Sequence, residues 1–405
     1  MATSPSSARE GGLTLSYLSK TAGIGGALKT VPEDFLVEEI APDGAVYELM
    51  RPFSRPDEEG KYVHFILQKK NWSTSSAISE IGLKLGIGHR YFNIAGTKDK
   101  AALTTQAASV LGASKESLLS LSIKDISING AWTAPDRIRL GQLLGNRFNI
   151  KVRDCADDSE GRSEAIMAEL GGQFPNYFGA QRFGSARRNT HLVGEKLLQG
   201  DLEGAVVSFL CDSEGEKNEA ASAARKNLSG TRDFAAALCE FPRHLRLERS
   251  MLAYLSKNPG KYANALKKLP RNILLLFVHA FQSHLFNRLL SERISEGTLE
   301  LEEGEFFCGE TLGFPDTAKA DSEGWICMKI IGYASPLNTR ERALMDELGI
   351  SKEAFKMKAL PEIRSKGTYR TLLAPMKDFN YSGGRFHFSL PSGSYATMAM
   401  REFMK

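Results

Sequence analysis

Strand-like texture stands at both ends of this 405-residue chain, with about 200 residues of another texture between them. From 27 to 153, short segments rich in Val, Ile, Phe and Tyr alternate with turns, as in KYVHFILQKK and RFNIKVRD, and read as β-strands. One helix interrupts them. In STSSAISEIGLKLGI, Ser73 or Thr74 can cap the start, and Ala77, Ile78, Ile81 and Leu85 share a face at helical spacing. From 172 to 369 the pattern turns mostly helical: GEKLLQGDLEGAVVSFL, HLRLERSMLAYLSKN and RNILLLFVHAFQSHLFNRLLSERI all suit helices. The chain then returns to its first texture in RFHFSLPSGSYATMAMREFMK. There Phe386, Phe388 and Leu390 alternate with His387 and Ser389 as in a half-buried strand, before a short helix capped by Ser392 or Ser394. This order predicts an α/β domain, residues 1–171 and 370–405, into which a mostly helical domain, 172–369, is inserted.

The remaining bounds are permissive. The length suits about two domains at roughly 100–200 residues each. Hydrophobic and charged contents of 42% and 25% exclude a disordered or fibrous chain. A net charge of +4 permits a polyanionic partner without requiring one. Five cysteines, odd in number and without a CxxC pair, argue against a disulfide framework or a zinc site. The polar start MATSPSSAREGG is unlike a signal peptide, and no run approaches the ~18 apolar residues of a membrane span. These features predict a reduced, cytoplasmic protein without membrane contact, and a monomer because no exposed apolar stripe stands out. Residues 212–230, DSEGEKNEAASAARKNLSG, hold one large aliphatic and no aromatic, and read as a mobile surface loop.

Chemistry-bearing motifs are few. GxxxxGK[ST], HExxH and GxSxG are all absent, AGIGG at 22–26 fails the dinucleotide spacing and reads as an entry turn, and His279 and His284 are five apart rather than four. What stands out is NIAGTKDKAALTTQ, residues 93–106, where the carboxylate of Asp99 lies between Lys98 and Lys100. Those lysines would keep it ionised, as a nucleophile must be. Thr104, Thr105 and Gln106 offer hydrogen bonds to a substrate backbone. The bland alternative is a solvated turn.

Aromatics also recur among cations. RIRLGQLLGNRFNIKVR sets Asn146 and Phe148 among Arg137, Arg139 and Arg147, and FPNYFGAQRFGSARR adds Tyr177 and Phe178 to Arg182, Arg187 and Arg188. Cations neutralise phosphates and aromatic faces stack on unpaired bases, so the clustering suits folded or single-stranded RNA. Arg147, Arg182, Arg187 and Arg188 are the candidate RNA-contacting cations.

AGTKDKAALTTQ resembles the signature G-x-K-D-x-x-A-x-T-x-Q of the TruD family of pseudouridine synthases, with every signature letter present from Gly96 to Gln106. GALKTVPEDFLVEEI, LGQLLGNRFNIKVR, PNYFGAQRFG and LPSGSYATMAMRE fit further family segments in the same order, and FQSHLFN resembles the family's insert helix. The resemblance runs from about Tyr17 to Arg401. It implies the pseudouridine-synthase mixed-sheet fold with an inserted TRUD domain, and tRNA as substrate, specifically uridine 13. It further implies Asp99 as nucleophile, Lys29 as its basic partner, and Phe35, Asn146, Phe148 and Tyr395 around the target uridine. Tyr395 stands where some relatives have Phe.

Isomerising uridine breaks the N1–C1′ bond, turns the held base and joins C5 to C1′. The bond count is unchanged, so no cofactor or metal is required. Whether Asp99 attacks the sugar or the base is open from sequence. A non-catalytic tRNA-binding or RNA-chaperone protein is the alternative reading, and an enzyme releasing free uracil is another.

Overall fold

The computed structural model describes residues 12–184 and 186–405. Its centre is an eight-stranded mixed sheet. Six strands come from the first part of the chain: β1 (Phe35–Ile40), β2 (Tyr62–Lys70), β3 (Phe92–Ile94), β4 (Leu103–Leu111), β5 (Ile126–Ala134) and β6 (Gly145–Lys151). The other two, Lys377–Ser382 and Arg385–Pro391, come from its end. Arg385–Pro391 lies antiparallel to β6, which lies antiparallel to β1, and β1 runs parallel to β4. Sequence-distant strands thus meet at the middle of the sheet.

Alternation of side chains explains how the sheet is clad, since successive residues of a strand face opposite ways. Val63, Phe65 and Leu67 of β2 and Ala108 and Val110 of β4 bury against Ala77, Ile78 and Ile81 of the helix Thr74–Leu85. Ser73 caps that helix, accepting from the Ser76 amide at 3.0 Å, and Gly86 ends it in the left-handed conformation. Each such aliphatic contributes roughly 1.5–3 kcal/mol on burial. Phe35, Val37, Phe148, Ile150, Phe386, Phe388 and Leu390 belong to the largest core, which continues into the inserted helices.

The helix Arg271–Glu296 is the axis of that continuation. By length and composition it could cross a membrane, contrary to the expectation of no such run, but most of it is buried inside the protein. Phe277, Val278, Phe281, Leu285, Phe286, Leu289 and Leu290 bury it on more than one side, as in a core helix. Asn287 accepts the Phe178 amide and donates to the Phe178 carbonyl, both at 2.8 Å, which ties the FGAQRF segment to the helix.

Three expectations are corrected. Residues 212–230 are a loop only as far as 218: Glu219–Thr231 is a helix, capped by Asn218 and burying Ala221, Ala224, Arg225 and Leu228 at helical spacing. Small alanines and a single leucine supply the buried stripe, and Arg225 finds Glu248 at 2.7 Å. The region 172–369 is less helical than expected, because Phe306–Thr311, Phe314–Asp321, Trp325–Ile330 and Thr368–Thr371 form a four-stranded antiparallel sheet. The last helix, Ala396–Phe403, starts after Tyr395 with no side-chain cap. Ser394 instead donates to Asn176 Oδ1 at 2.9 Å.

Candidate active site

Asp99 sits in the turn between β3 and β4, and that turn is pinned from several directions. The Lys98 amide donates to Thr74 Oγ1, Thr74 donates to Gln106 Oε1, and Gln106 Nε2 donates to the Gly96 carbonyl, at 3.0, 3.0 and 2.8 Å. Lys69, at the end of β2, donates its ammonium to the Asp99 carbonyl at 2.8 Å. Each bond satisfies a buried or half-buried polar group, so the turn is held by its need for partners. GTKDK is therefore not a loose surface turn.

The Asp99 carboxylate meets Lys29 Nζ at 2.6 Å through Oδ2 and accepts from Gln181 Nε2 at 2.8 Å through Oδ1. Lys29 is held with φ of 57°, a conformation that costs a non-glycine residue energy and is found at functional sites. Its ammonium lies 4.1 Å from the centre of the Phe35 ring. Burial alone would raise the Asp99 carboxyl. The Lys29 charge, the hydrogen bonds from Lys29 and Gln181, and the Lys69 charge overcome it and hold Asp99 below the usual carboxylate value. The carboxylate is 24% exposed, so it is both ionised and reachable.

It borders a cleft of about 500 Å³, within the range of small-molecule sites, roughly 300–1,000 Å³. Register explains its walls. Val37 of β1 is paired with Phe148 of β6, and Phe148 with Phe388 of the strand Arg385–Pro391, so these side chains share one face with Phe35 and Asn146. Phe35 and Phe148 meet edge-on with ring centres 6.1 Å apart. Asn146 lines the cleft, and its buried Oδ1 has no hydrogen-bond partner among the described residues. Tyr395 closes another wall. A Cβ on Gly179 would stand 3.1 Å from its ring, a tight contact that would push the ring away from the main chain. Arg370 braces this wall: it donates to Asn176 twice and to the Gly393 carbonyl at 3.0 Å, and lies 4.2 Å from the Phe178 ring centre and 6.0 Å from that of Tyr395.

The structure thus brings together Asp99, Lys29, Phe35, Asn146, Phe148 and Tyr395, all named from the sequence. The cations divide. Arg182 lines the cleft, donating to Ser283 Oγ at 3.0 Å, and Arg188 is exposed. Arg147 points to the opposite face of the sheet, because its neighbours Asn146 and Phe148 point into the cleft. There it pairs with Glu38 at 2.6 Å and Glu48 at 3.0 Å. Arg187 turns inward to the carbonyls of Phe209 and Asp212, near Glu248. Both guanidiniums are thus engaged by protein partners.

Other expectations also change. Lys98 does not face Asp99; it is buried against Glu39 at 2.5 Å. Lys100 is exposed, so the charges beside the carboxylate are Lys29 and Lys69 instead. Thr104, Thr105 and Gln106 are fully buried, with Thr105 donating to the Tyr47 carbonyl, and serve the frame rather than a substrate. Lys69, Gln181 and Arg370 were not picked out from the sequence. Lys69 in LQKKN and Gln181 in GAQRFG stand in segments otherwise read as strand and RNA contact. Among the described residues, no group of three or more His, Cys, Asp or Glu side chains could hold a metal ion.

Comparison with known proteins gives the family. The family model described as tRNA pseudouridine synthase D (TruD) matches residues 14–403. The chain is 38% identical to the probable tRNA pseudouridine synthase D of Thermococcus sibiricus, over 96% of this chain and 97% of that one. It is 37% identical to the Archaeoglobus fulgidus protein of the same description, with the same coverage. The crystal structure of the putative tRNA pseudouridine synthase D (TruD) from Methanosarcina mazei superposes with a TM-score of 0.76 at 32% identity, covering 97% of this chain and 96% of that one. Match of sequence, fold and length together leaves one conclusion: this chain belongs to the TruD family of tRNA pseudouridine synthases.

Proposed function

We propose that this protein is an isomerase that converts uridine 13 of tRNA to pseudouridine, with Asp99 as nucleophile and no cofactor. The observation that carries this reading is the ionised Asp99, held by Lys29 and Gln181 at the edge of a cleft with aromatic walls. We assign catalysis to residues within 1–171 and 370–405, and read 172–369 as an insert that supplies Gln181 and Arg182.

The chemistry follows from the walls. A uridine leaving its stack costs a few kcal/mol, which packing against Phe35, Phe148 and Tyr395 offsets. The unpartnered Oδ1 of Asn146 suits the imide N3–H of uracil, because a buried acceptor without a donor is expensive to leave unmatched. Asp99 then forms a covalent bond to the nucleotide as the N1–C1′ bond breaks. Lys29 stabilises the carboxylate before attack and again when it departs. The detached base turns within the aromatic walls, C5 bonds to C1′, and the C5 proton is lost as N1 gains one. Atoms and electrons balance within the nucleotide, so no outside oxidant, reductant or phosphate donor enters. The closed walls also keep the base from diffusing away, which would leave an abasic sugar.

The test is incubation with unmodified tRNA transcript, carbodiimide treatment and primer extension, with Asp99→Asn alongside. A stop at one uridine with the wild-type protein, absent with the variant, is expected. A stop that persists with Asp99→Asn would refute the nucleophile.

A further inference from the structure

We propose that Leu140 is a wedge that enters the RNA stack in the place the target uridine leaves. The inference rests on the reading of the cleft as a uridine site. Leu140 is 84% exposed, the highest value among the exposed large hydrophobic side chains of the described residues. An exposed leucine alone means little, since much of any protein surface is apolar. This one lines the mouth of the cleft beside Asp99.

Its support is what distinguishes it. Leu140 lies at the tip of the turn between β5 and β6, and that turn is rigid. Gly141, at φ of 85°, donates to the Ala95 carbonyl at 2.7 Å. Gln142 and Arg139 exchange hydrogen bonds, each 3.0 Å, and buried Ile138 anchors the turn with its amide on Ser109 Oγ. Ala95 begins the stretch that leads to Asp99, so the bond from Gly141 ties the apolar tip to the catalytic turn. The entropy of ordering the tip is spent in folding rather than in binding RNA.

Charge agrees with this placement. Arg137 and Arg139 flank the tip, both exposed and neither ion-paired within the described residues, and would meet the phosphates on either side of an inserted side chain. Leu276, 39% exposed, faces the mouth from the helix Arg271–Glu296 and gives a second apolar edge. When a base swings out, its neighbours lose a stacking partner. An apolar side chain fills that gap without demanding hydrogen bonds, and so serves whichever bases adjoin the target.

The experiment compares single-turnover pseudouridine formation by the wild type, Leu140→Ala and Leu140→Met on two RNAs. One is the tRNA transcript, and the other is the same RNA with an abasic residue beside the target uridine, where no stack remains to be opened. Leu140→Ala should be slower by about ten- to a hundredfold on tRNA, from an unstacking cost of a few kcal/mol. The deficit should shrink on the abasic RNA, and Leu140→Met, which keeps the apolar bulk, should recover most of the rate on tRNA. A Leu140→Ala rate equal to wild type on tRNA, or an equal deficit on both RNAs, would overturn the wedge alone. A wild type that forms pseudouridine in neither RNA would overturn the reading of the cleft and the wedge with it.

Discussion

Replacing Lys98 by Met should destabilise the protein far more than it perturbs the charge at Asp99. The side chains of Lys98 and Glu39 are 5% and 1% exposed, and pair at 2.5 Å beside the turn that bears Asp99. Glu39 Oε1 also accepts the Ala107 amide at 3.0 Å, so the carboxylate cannot swing out to water without breaking a bond of β4. Removing Lys98 leaves a buried charge uncompensated, which costs about 3–5 kcal/mol. Were the pair exposed, the loss would be about 0–1 kcal/mol. Urea unfolding followed by tryptophan fluorescence reads the difference, because Trp132 packs in the same small core as Ala95 and Ala107. At slopes of about 2–3 kcal/mol per M, the midpoint should fall by about 1–2.5 M. The variant Glu39→Gln/Lys98→Met should regain much of this, since the amide can still accept from Ala107 and no charge remains. A midpoint shift below about 0.3 M for Lys98→Met, or a double variant as weak as the two single losses summed, would refute the reasoning.

Two further predictions concern pH. Burial pushes the Lys69 ammonium down to about 8, with the Asp99 charge opposing and Lys98 adding to the effect; the single-turnover rate should therefore fall as pH rises through about 8 and the charge behind Asp99 is lost, and Lys69→Met should be slow at neutral pH and lack that limb. His191 is pushed down from 6.5 to about 3 by burial and then by the charge of His284. Between those values the unfolded chain binds a proton that the folded chain does not, so stability is full above 6.5 and falls as pH drops, by about 2 kcal/mol at pH 5. His191→Phe should flatten that part of the urea-midpoint profile, and an unchanged slope would refute the assignment.

What could be read from the sequence was whatever has a local cause. Alternation in RFHFSLP and the cap before Thr74–Leu85 are set by neighbours in the chain, and the structure has both. Asp99 stood out because a lone carboxylate among lysines is unusual. Of its partners, Lys29 is reached only through the family resemblance, and Lys69 and Gln181 have no local signal, because they arrive through space, Lys69 across the strand pairing of β2 with β4 and Gln181 from the inserted region. Lys98, next to Asp99 in sequence, is drawn instead to the buried Glu39 of β1, a partner equally distant in the chain. The strands at 306–371 escaped notice within a long stretch that is otherwise helical, and the helix 219–231 because burial by alanine leaves little hydrophobic signal.

The cleft is walled by Phe35 at one end of the chain and by Ser392–Thr397 at the other, and Ser19 hydrogen-bonds Glu402 beside them. On a ribosome adding about 5–20 residues each second, the far wall is made about 20–70 s after the near one. Through that interval the nascent chain holds the signature aspartate but no closed chamber around it. The cleft is therefore complete only when the last strand and the turn bearing Tyr395 dock. The order of synthesis thus makes the far wall of the cleft the last part to be assembled.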